Sequence, residues 1–587
     1  MKKVKLFSFA LAALMLGACS SEDVIDNGGQ TVLPGEKGYI SLGINLPTTP
    51  STRATTNDNF ADGTQDEYAV NNAALLIFEG TDEEHAIFTG GYDLVNLNGN
   101  SVGGNITSQY KVTTSITKPT QGDIYALVVV NRGDVLAEED GTWTLKGTPL
   151  TSTTTLASFN EVAQTISASD LASTDKGFFM TNAPLYSVPG GELSQAPNGK
   201  LSTLTLINAE NVYSTEAEAK ANPAASVYVE RAVAKVSVVN NTPDEDVIDA
   251  NPTGLTTRAF TFEGWAFDVT NTKTYLVRNM SAAANWWAYN VNNNYRFVGS
   301  SAVGPDLFRT YWGVDPNYSN YISADFTKIN GTAPTGEALT PMYTTENHAA
   351  GYCLENTFNV ANQNQAQTTR VIVAAQLNGG NTFYILDNDK GTVYDETAAE
   401  DAIKAEYLGN QKVTALLKQY LNGSLTKNDL TVTFDDTKTA GVLTVKSIEI
   451  SDEAQKRFTT FPEDLETGTD ANKTILDEVN AAKKVSCYKN GIAYYPVMIQ
   501  HFGQDLTPWS DQKTGESYPE PNAENNWLGR YGVLRNNWYE INVNGISNIG
   551  YAEVPEVYNT PDDPVNSYIS VDINILSWAK RTQEVEL

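Results

Sequence analysis

The chain has 587 residues, enough for two or more domains that each bury a core of their own. Its 70 acidic residues outnumber 39 basic ones, and the net charge of -31 repels phosphate backbones and anionic lipid heads, which argues against nucleic-acid or direct membrane binding. With 29 Tyr and 20 Phe in short alternating runs between Gly, Asn, Thr and Pro clusters, the composition predicts a mainly β protein of sandwich type.

Lys2, Lys3 and Lys5 precede an apolar run from Leu6 to Leu16. The run falls short of the ~20 residues that a membrane-spanning helix needs, so residues 1–18 read as a signal peptide. Leu16-Gly17-Ala18-Cys19 sets small residues against a cysteine in the manner of a bacterial lipobox, which points to cleavage before Cys19 and acylation of its thiol. Residues 20–37 are polar, with Gly28, Gly29, Pro34 and Gly35, as a tether would be. In Tyr39-Ile40-Ser41-Leu42-Gly43-Ile44-Asn45-Leu46 the apolar Ile40, Leu42, Ile44 and Leu46 alternate with polar or small residues, the period of a strand that buries one face. Pro47 and Pro50 end it. Arg53, the first arginine and the only one before Arg132, offers a cleavage site ahead of Ala54. Residues 19–53 thus read as a lipidated propeptide that carries a removable strand.

Beyond the polar stretch 54–66, Ala73 to Phe78 and Ile124 to Val130 are apolar runs of buried-strand length. Leu156, Phe159, Val162 and Ile166 recur at helical spacing between Ser152 and Leu171, and Phe178 to Asn182 predicts a further strand. The Ala- and Glu-rich segment from Ser214 to Ala225 marks a boundary, giving an N-terminal sandwich over 54–224 and a C-terminal one over 225–564. The second opens with Val227 to Val238, read as one long strand with Ala232, Ala234, Val236 and Val238 on one face. Further strands are expected at 259–267, 370–377, 382–386, 430–434, 442–450, 492–500 and 538–543. Apolar residues spaced by three and four between Thr397 and Leu421, and again over 475–484, predict helices that decorate this sandwich without forming a third domain.

The tail, 565–587, repeats the first strand. Tyr568-Ile569-Ser570-Val571-Asp572-Ile573-Asn574-Ile575 matches residues 39–46 at five of eight positions, so both segments could fill one groove. Ile569, Val571, Ile573 and Ile575 share a face, and the alternation points Asn574 away from it. Leu576 and Trp578 fall on the opposite parity, which suggests a bulge near Leu576 and Ser577. A removable strand in front and its near-copy behind describe a subunit that polymerises by lending its tail to a neighbour.

His85, His348 and His501 stand more than a hundred residues apart from one another and outside any zinc-type spacing, and neither common Gly-rich phosphate loop follows a strand. The sequence therefore suggests no enzyme and assigns no catalytic, cofactor-binding or metal-ligating residue. Trp286, Trp287 and Tyr289 read as packing in preference to a sugar platform. Cys353 and Cys487 could pair or remain buried thiols.

The lipobox at Cys19, the Thr52-Arg53-Ala54 junction, the strand Val229 to Val236, the segment Ile492 to Tyr495, the run Val533 to Tyr539 and the tail from Tyr568 through Trp578 to Leu587 together resemble the type V fimbrilin (pilin) family of Bacteroidales. Glu22 and Asp23 also resemble the acidic tag that sends lipoproteins of that order to the outer face of the outer membrane. The resemblance implies two transthyretin-like β-sandwich domains with a few helical insertions. It implies export as a palmitoylated lipoprotein, held in the cell outer membrane through the lipid of the precursor only. An extracellular arginine-specific protease would then cut between Arg53 and Ala54. Donor-strand exchange would follow, with Ile569, Val571, Ile573 and Ile575, extended by Trp578, replacing Ile40, Leu42, Ile44 and Leu46 in the groove. The product would be an extracellular fimbrium of chain copies with anchor and tip subunits, supporting adhesion and biofilm formation. The spacer before the tail, Pro555 to Pro564, is short, which bears on the reach of the donor arm. A surface glycan-binding lipoprotein, the main rival reading, has no use for Arg53 or the tail. An anchor subunit would keep its first strand, and a tip subunit would need no donor tail.

Overall fold

A computed structural model describes residues 32–47, 63–97, 99–101, 106–120, 122–162, 166–186, 203–242, 246–280, 297–300, 306–309, 312–329, 334–435, 441–501, 529–560 and 569–577. The protein is mainly β, as its composition predicts. Among the described residues no helix is long and apolar enough to cross a membrane.

The first core is covered by β1 (Lys37–Pro47), β2 (Ala73–Gly80), β3 (Ile87–Leu94), β4 (Gly99–Ser101), β5 (Ile106–Thr117), β6 (Asp123–Val130), β7 (Met180–Asn182) and β8 (Ala225–Arg231). They pair in the order β3-β2-β6-β7-β8-β1-β5-β4, and Thr205–Ile207 also pairs with β6. Every residue of β6 from Ile124 to Val130 is buried, so its run is continuously apolar and not alternating. The helix expected between Ser152 and Leu171 is two short ones, Leu156–Val162 and Ala168–Leu171. Ser167 starts the second through a capping box with Asp170.

The stretch Val227 to Val238 is two strands. β8 ends at Arg231, β9 (Val233–Asn240) starts at Val233, and Ala232 between them donates its N–H to the Phe179 carbonyl at 3.0 Å. Because β8 lies in the first sheet and β9 in another, the chain crosses from one sheet to the next at Ala232, Val233 still packs in the first core and Ala234 opens the second, and the boundary expected at 224/225 falls ahead of β8.

β10 (Thr261–Asp268), β11 (Gly351–Leu354), β12 (Arg370–Gln376), β13 (Ile492–Met498), β14 (Asn537–Ile546) and β15 (Ile569–Ser577) complete the second unit. One sheet runs β11-β9-β14-β15 and another β10-β12-β13. Val236, Val238, Ile541 and Val543 of the first meet Trp265, Val371, Val373 and Val497 of the second in one core, which makes the pair a sandwich.

Four helices matter here: α1 (Glu216–Ala221), α2 (Glu396–Gly409), α3 (Gln411–Tyr420) and α4 (Asp470–Ala482). Asn410 divides α2 from α3, since its side chain accepts from the Lys412 and Val413 amides and caps a new helix. Ile403, Tyr407, Val413, Ile448, Ile475 and Val479 pack together in a third cluster. The insert has an apolar core of its own, more than the decoration that the sequence suggests.

Candidate assembly strands and the domain junction

β1 sits inside its sheet and not at an edge. It runs parallel to β8, with Leu42 opposite Ala225 and Ile44 opposite Val227, and antiparallel to β5, with Leu42 opposite Val112 and Ile44 opposite Tyr110. Ile40, Leu42, Ile44 and Leu46 are all buried in the first core. At roughly 1.5 to 3 kcal/mol per aliphatic side chain, their burial is worth on the order of 6 to 12 kcal/mol.

The polar face of β1 does not meet solvent, contrary to the alternation reading. Ser41 is 3% exposed and Asn45 1%, and α1 lies close to β1 and β5. Thr215 starts α1 by accepting from the Glu218 amide, and Ala219 is its buried residue. Asn45 is satisfied in place: its Nδ2 donates to the Val227 carbonyl at 3.3 Å, and its Oδ1 accepts from Gln109 Nε2 at 2.8 Å. Period two identifies the apolar face and leaves open whether the other face is wet.

The tail strand lies in the other unit. β15 is the edge strand beside β14, antiparallel, with Ile569 opposite Ile546, Val571 opposite Val543, Ile573 opposite Ile541 and Ile575 opposite Tyr539. Val571 packs partly buried against the second core. Within a single molecule, then, the tail pairs with its own C-terminal sandwich. The register shift falls on β14, between Val543 and Gly545, whereas Leu576 and Ser577 pair regularly with Trp538 and Asn537. The bulge expected near Leu576 and Ser577 is thus absent, and the irregularity lies at the other end of the ladder, opposite Ser570 and Val571. The spacer is tied to the same sandwich, with Arg370 Nη2 donating to the Pro555 carbonyl at 2.6 Å and the Gln365 amide to the Thr560 carbonyl at 2.9 Å. Cys19, Arg53, Ala54 and Trp578 lie outside the described residues, as do Trp286, Trp287 and Tyr289. Cys353 and Cys487 are buried free thiols in separate cores.

Two of the quoted motifs, Val229 to Val236 and Val533 to Tyr539, meet at the junction of the two sheets and carry buried charge. Glu67 accepts from Lys235 Nζ at 2.8 Å and from the Tyr352 hydroxyl at 2.5 Å, while its carbonyl accepts from Arg231 Nε at 2.7 Å. Burial pushes the Glu67 carboxyl upward, but Lys235, Tyr352 and Arg231 outweigh it and hold the group below the ordinary carboxylate value. Glu230 holds Arg278 through two bonds of 2.8 and 3.0 Å. Glu355 and Arg535 pair at 3.1 Å with both side chains fully buried. The Arg231 amide donates to Asn536 Oδ1 at 3.1 Å, which ties the end of β8 to the start of β14. Sequence reasoning passed over this role, although Glu230, Arg231 and Lys235 inside an otherwise apolar run were the available signal.

Residues 486–584 match the family model described as "Major fimbrial subunit protein type IV, Fimbrillin, C-terminal". Over that C-terminal stretch, which includes β13, β14 and β15, the chain is similar to the fimbrillins. Among solved structures, a fimbrilin from Porphyromonas gingivalis is 13% identical over 93% of this chain and 99% of its own, with a TM-score of 0.36. A C-terminally truncated tip fimbrial protein of the same species is 11% identical over 92% and 100%, with a TM-score of 0.29. A fimbrial assembly protein from Parabacteroides distasonis is 12% identical over 58% and 81%, with a TM-score of 0.23. No curated protein matches the chain.

Proposed function

We propose that the chain is a fimbrial subunit, exported as a lipoprotein on Cys19, cut after Arg53, and polymerised when the β15 segment of one copy replaces β1 of another. The observation that carries this reading is the position of β1. It is a buried, central strand that ends at Pro47, six positions before Arg53, and seven of the eight residues of its near-copy, from Ile569 to Ile575, stand at a sheet edge in the tail. Removal of β1 would uncover β5 and β8 at once, a slot with hydrogen-bonding edges on both sides and an apolar floor. The donor first has to leave β14, so each exchange trades one set of ladder bonds for a larger one. The family match over the C-terminal region supports the fimbrial part of the reading.

The test is Arg53→Ala with an arginine-specific protease. The uncut strand stays at high effective concentration beside its groove, so the variant should remain monomeric while the wild type forms detergent-resistant polymer. N-terminal sequencing of the polymer should begin at Ala54. Normal fibres from Arg53→Ala, or a polymer that still starts at Cys19, would refute the cleavage step.

A further inference from the structure

Four aliphatic residues at every second position do not define a register. A donor shifted by two residues would still bury aliphatic side chains, so something on the other face must fix the alignment. In β1 that something is Asn45, held between Gln109 Nε2 at 2.8 Å and the Val227 carbonyl at 3.3 Å. When Tyr568 to Ile575 is laid on Tyr39 to Leu46, Asn574 takes the place of Asn45 and Asp572 takes that of Gly43. A Cβ on Gly43 would lie 3.4 Å from Gln109 Nε2 and 3.5 Å from Ser226 Oγ, an ordinary contact that faces two hydrogen-bond donors. The Gln109 amide has two hydrogens and can serve both the asparagine and the carboxylate.

We propose that Gln109, Ser226 and the Val227 carbonyl form a polar reading site for the tail of a second copy of this chain. Asn574 fixes the register there, and Asp572 makes the tail a better occupant than the strand it replaces. A slip that brings Asp572 to the position of Asn45 would set a carboxylate against the Val227 carbonyl in a buried place, so the same aspartate rejects the wrong alignment. The inference rests on the strand-exchange reading proposed above.

The test uses full-length chains processed with an arginine-specific protease. Subunits carrying Ser570→Cys, which takes the place of Ser41 opposite Thr113, are mixed with subunits carrying Thr113→Cys and oxidised, and a disulfide between the two molecules is expected while Asn574 and Gln109 stay intact. The shifted pair, Ser570→Cys with Lys111→Cys, should give none. The critical concentration for assembly should rise about tenfold for Asn574→Ala and about threefold for Asp572→Gly. Asn574→Asp, which keeps the size of the side chain, should weaken assembly at least as much as Asn574→Ala. Cross-linking at the Lys111 pair, or unchanged critical concentrations, while Ile573→Asp abolishes polymer, overturns the reading site and leaves strand exchange standing. Normal polymer from Ile573→Asp overturns strand exchange itself.

Discussion

Glu67 lies in the sequence as one acidic residue among 70, yet it holds the contact between the two sheets through Lys235, Tyr352 and Arg231. Breaking a buried pair from one side strands the other charge, which costs roughly 3 to 5 kcal/mol. Glu67→Gln should therefore lower stability by about that amount at pH 7, with Lys235 left against the Trp538 ring, 3.7 Å from its centre. The pH dependence has a definite sign. With the folded-state value below 4.5, the stabilisation from Glu67 is present above about pH 4.5 and fades as pH falls through the folded value. Thermal melts at pH 7 and pH 4 check both points: the wild type should lose stability on acidification, and the difference should shrink in Glu67→Gln. A variant as acid-sensitive as the wild type would assign that sensitivity to other carboxylates. Nothing in the sequence around Glu67 marks it, because its partners are 164, 168 and 285 positions away.

At the level of elements, the buried position of β1 predicts a graded response. Ile44→Ala removes a side chain from the first core and should cost about 2 to 5 kcal/mol in the uncut chain. Denaturant melts of the uncut protein measure it. A loss below about 1 kcal/mol would mean that β1 is not integral to that core. Most strands were legible because their runs are apolar and bounded by turn residues; β12 and the strand Leu430–Phe434 fall within a residue of the expected limits. The break at Ala232 was not, because both flanking strands are buried on both faces and no glycine or proline punctuates them. The split at Asn410 was hidden by apolar spacing that continues across it, although an asparagine there is a cap residue. The removable strand and the tail were both visible from their shared pattern. Only the structure brings β5 and β8 to the two sides of β1, and with them Gln109 and the Val227 carbonyl as the partners of Asn45.

For the whole molecule, the governing quantity is charge. The whole chain carries a net charge of -31 and the subunit cut after Arg53 stays strongly acidic, so a polymer requires like charges to meet, which raises the barrier to encounter before any strand can enter a groove. Surface ion pairs such as Lys412 with Glu478 and Lys456 with Glu453 join charges already counted in that sum and leave the excess unchanged. The Debye length is about 30 Å at 0.01 M salt and about 8 Å at 0.15 M, so the repulsion extends across the approach at low salt and is confined to the contact at physiological salt. The arm limits the distance over which the repulsion has to be overcome. The spacer is held as far as Thr560, so the eight positions to Tyr568 can reach at most about 28 Å, inside the low-salt Debye length. Polymerisation of the protease-treated subunit should consequently be several-fold faster at 0.15 M than at 0.01 M sodium chloride. The final polymer yield should change less than the rate, because the exchanged strand is held by burial and backbone bonding that salt hardly screens. Light scattering follows the rate, and sedimentation gives the yield. Rates that are equal at the two ionic strengths would mean that release of the tail from β14, a step within one subunit, limits assembly instead of the encounter.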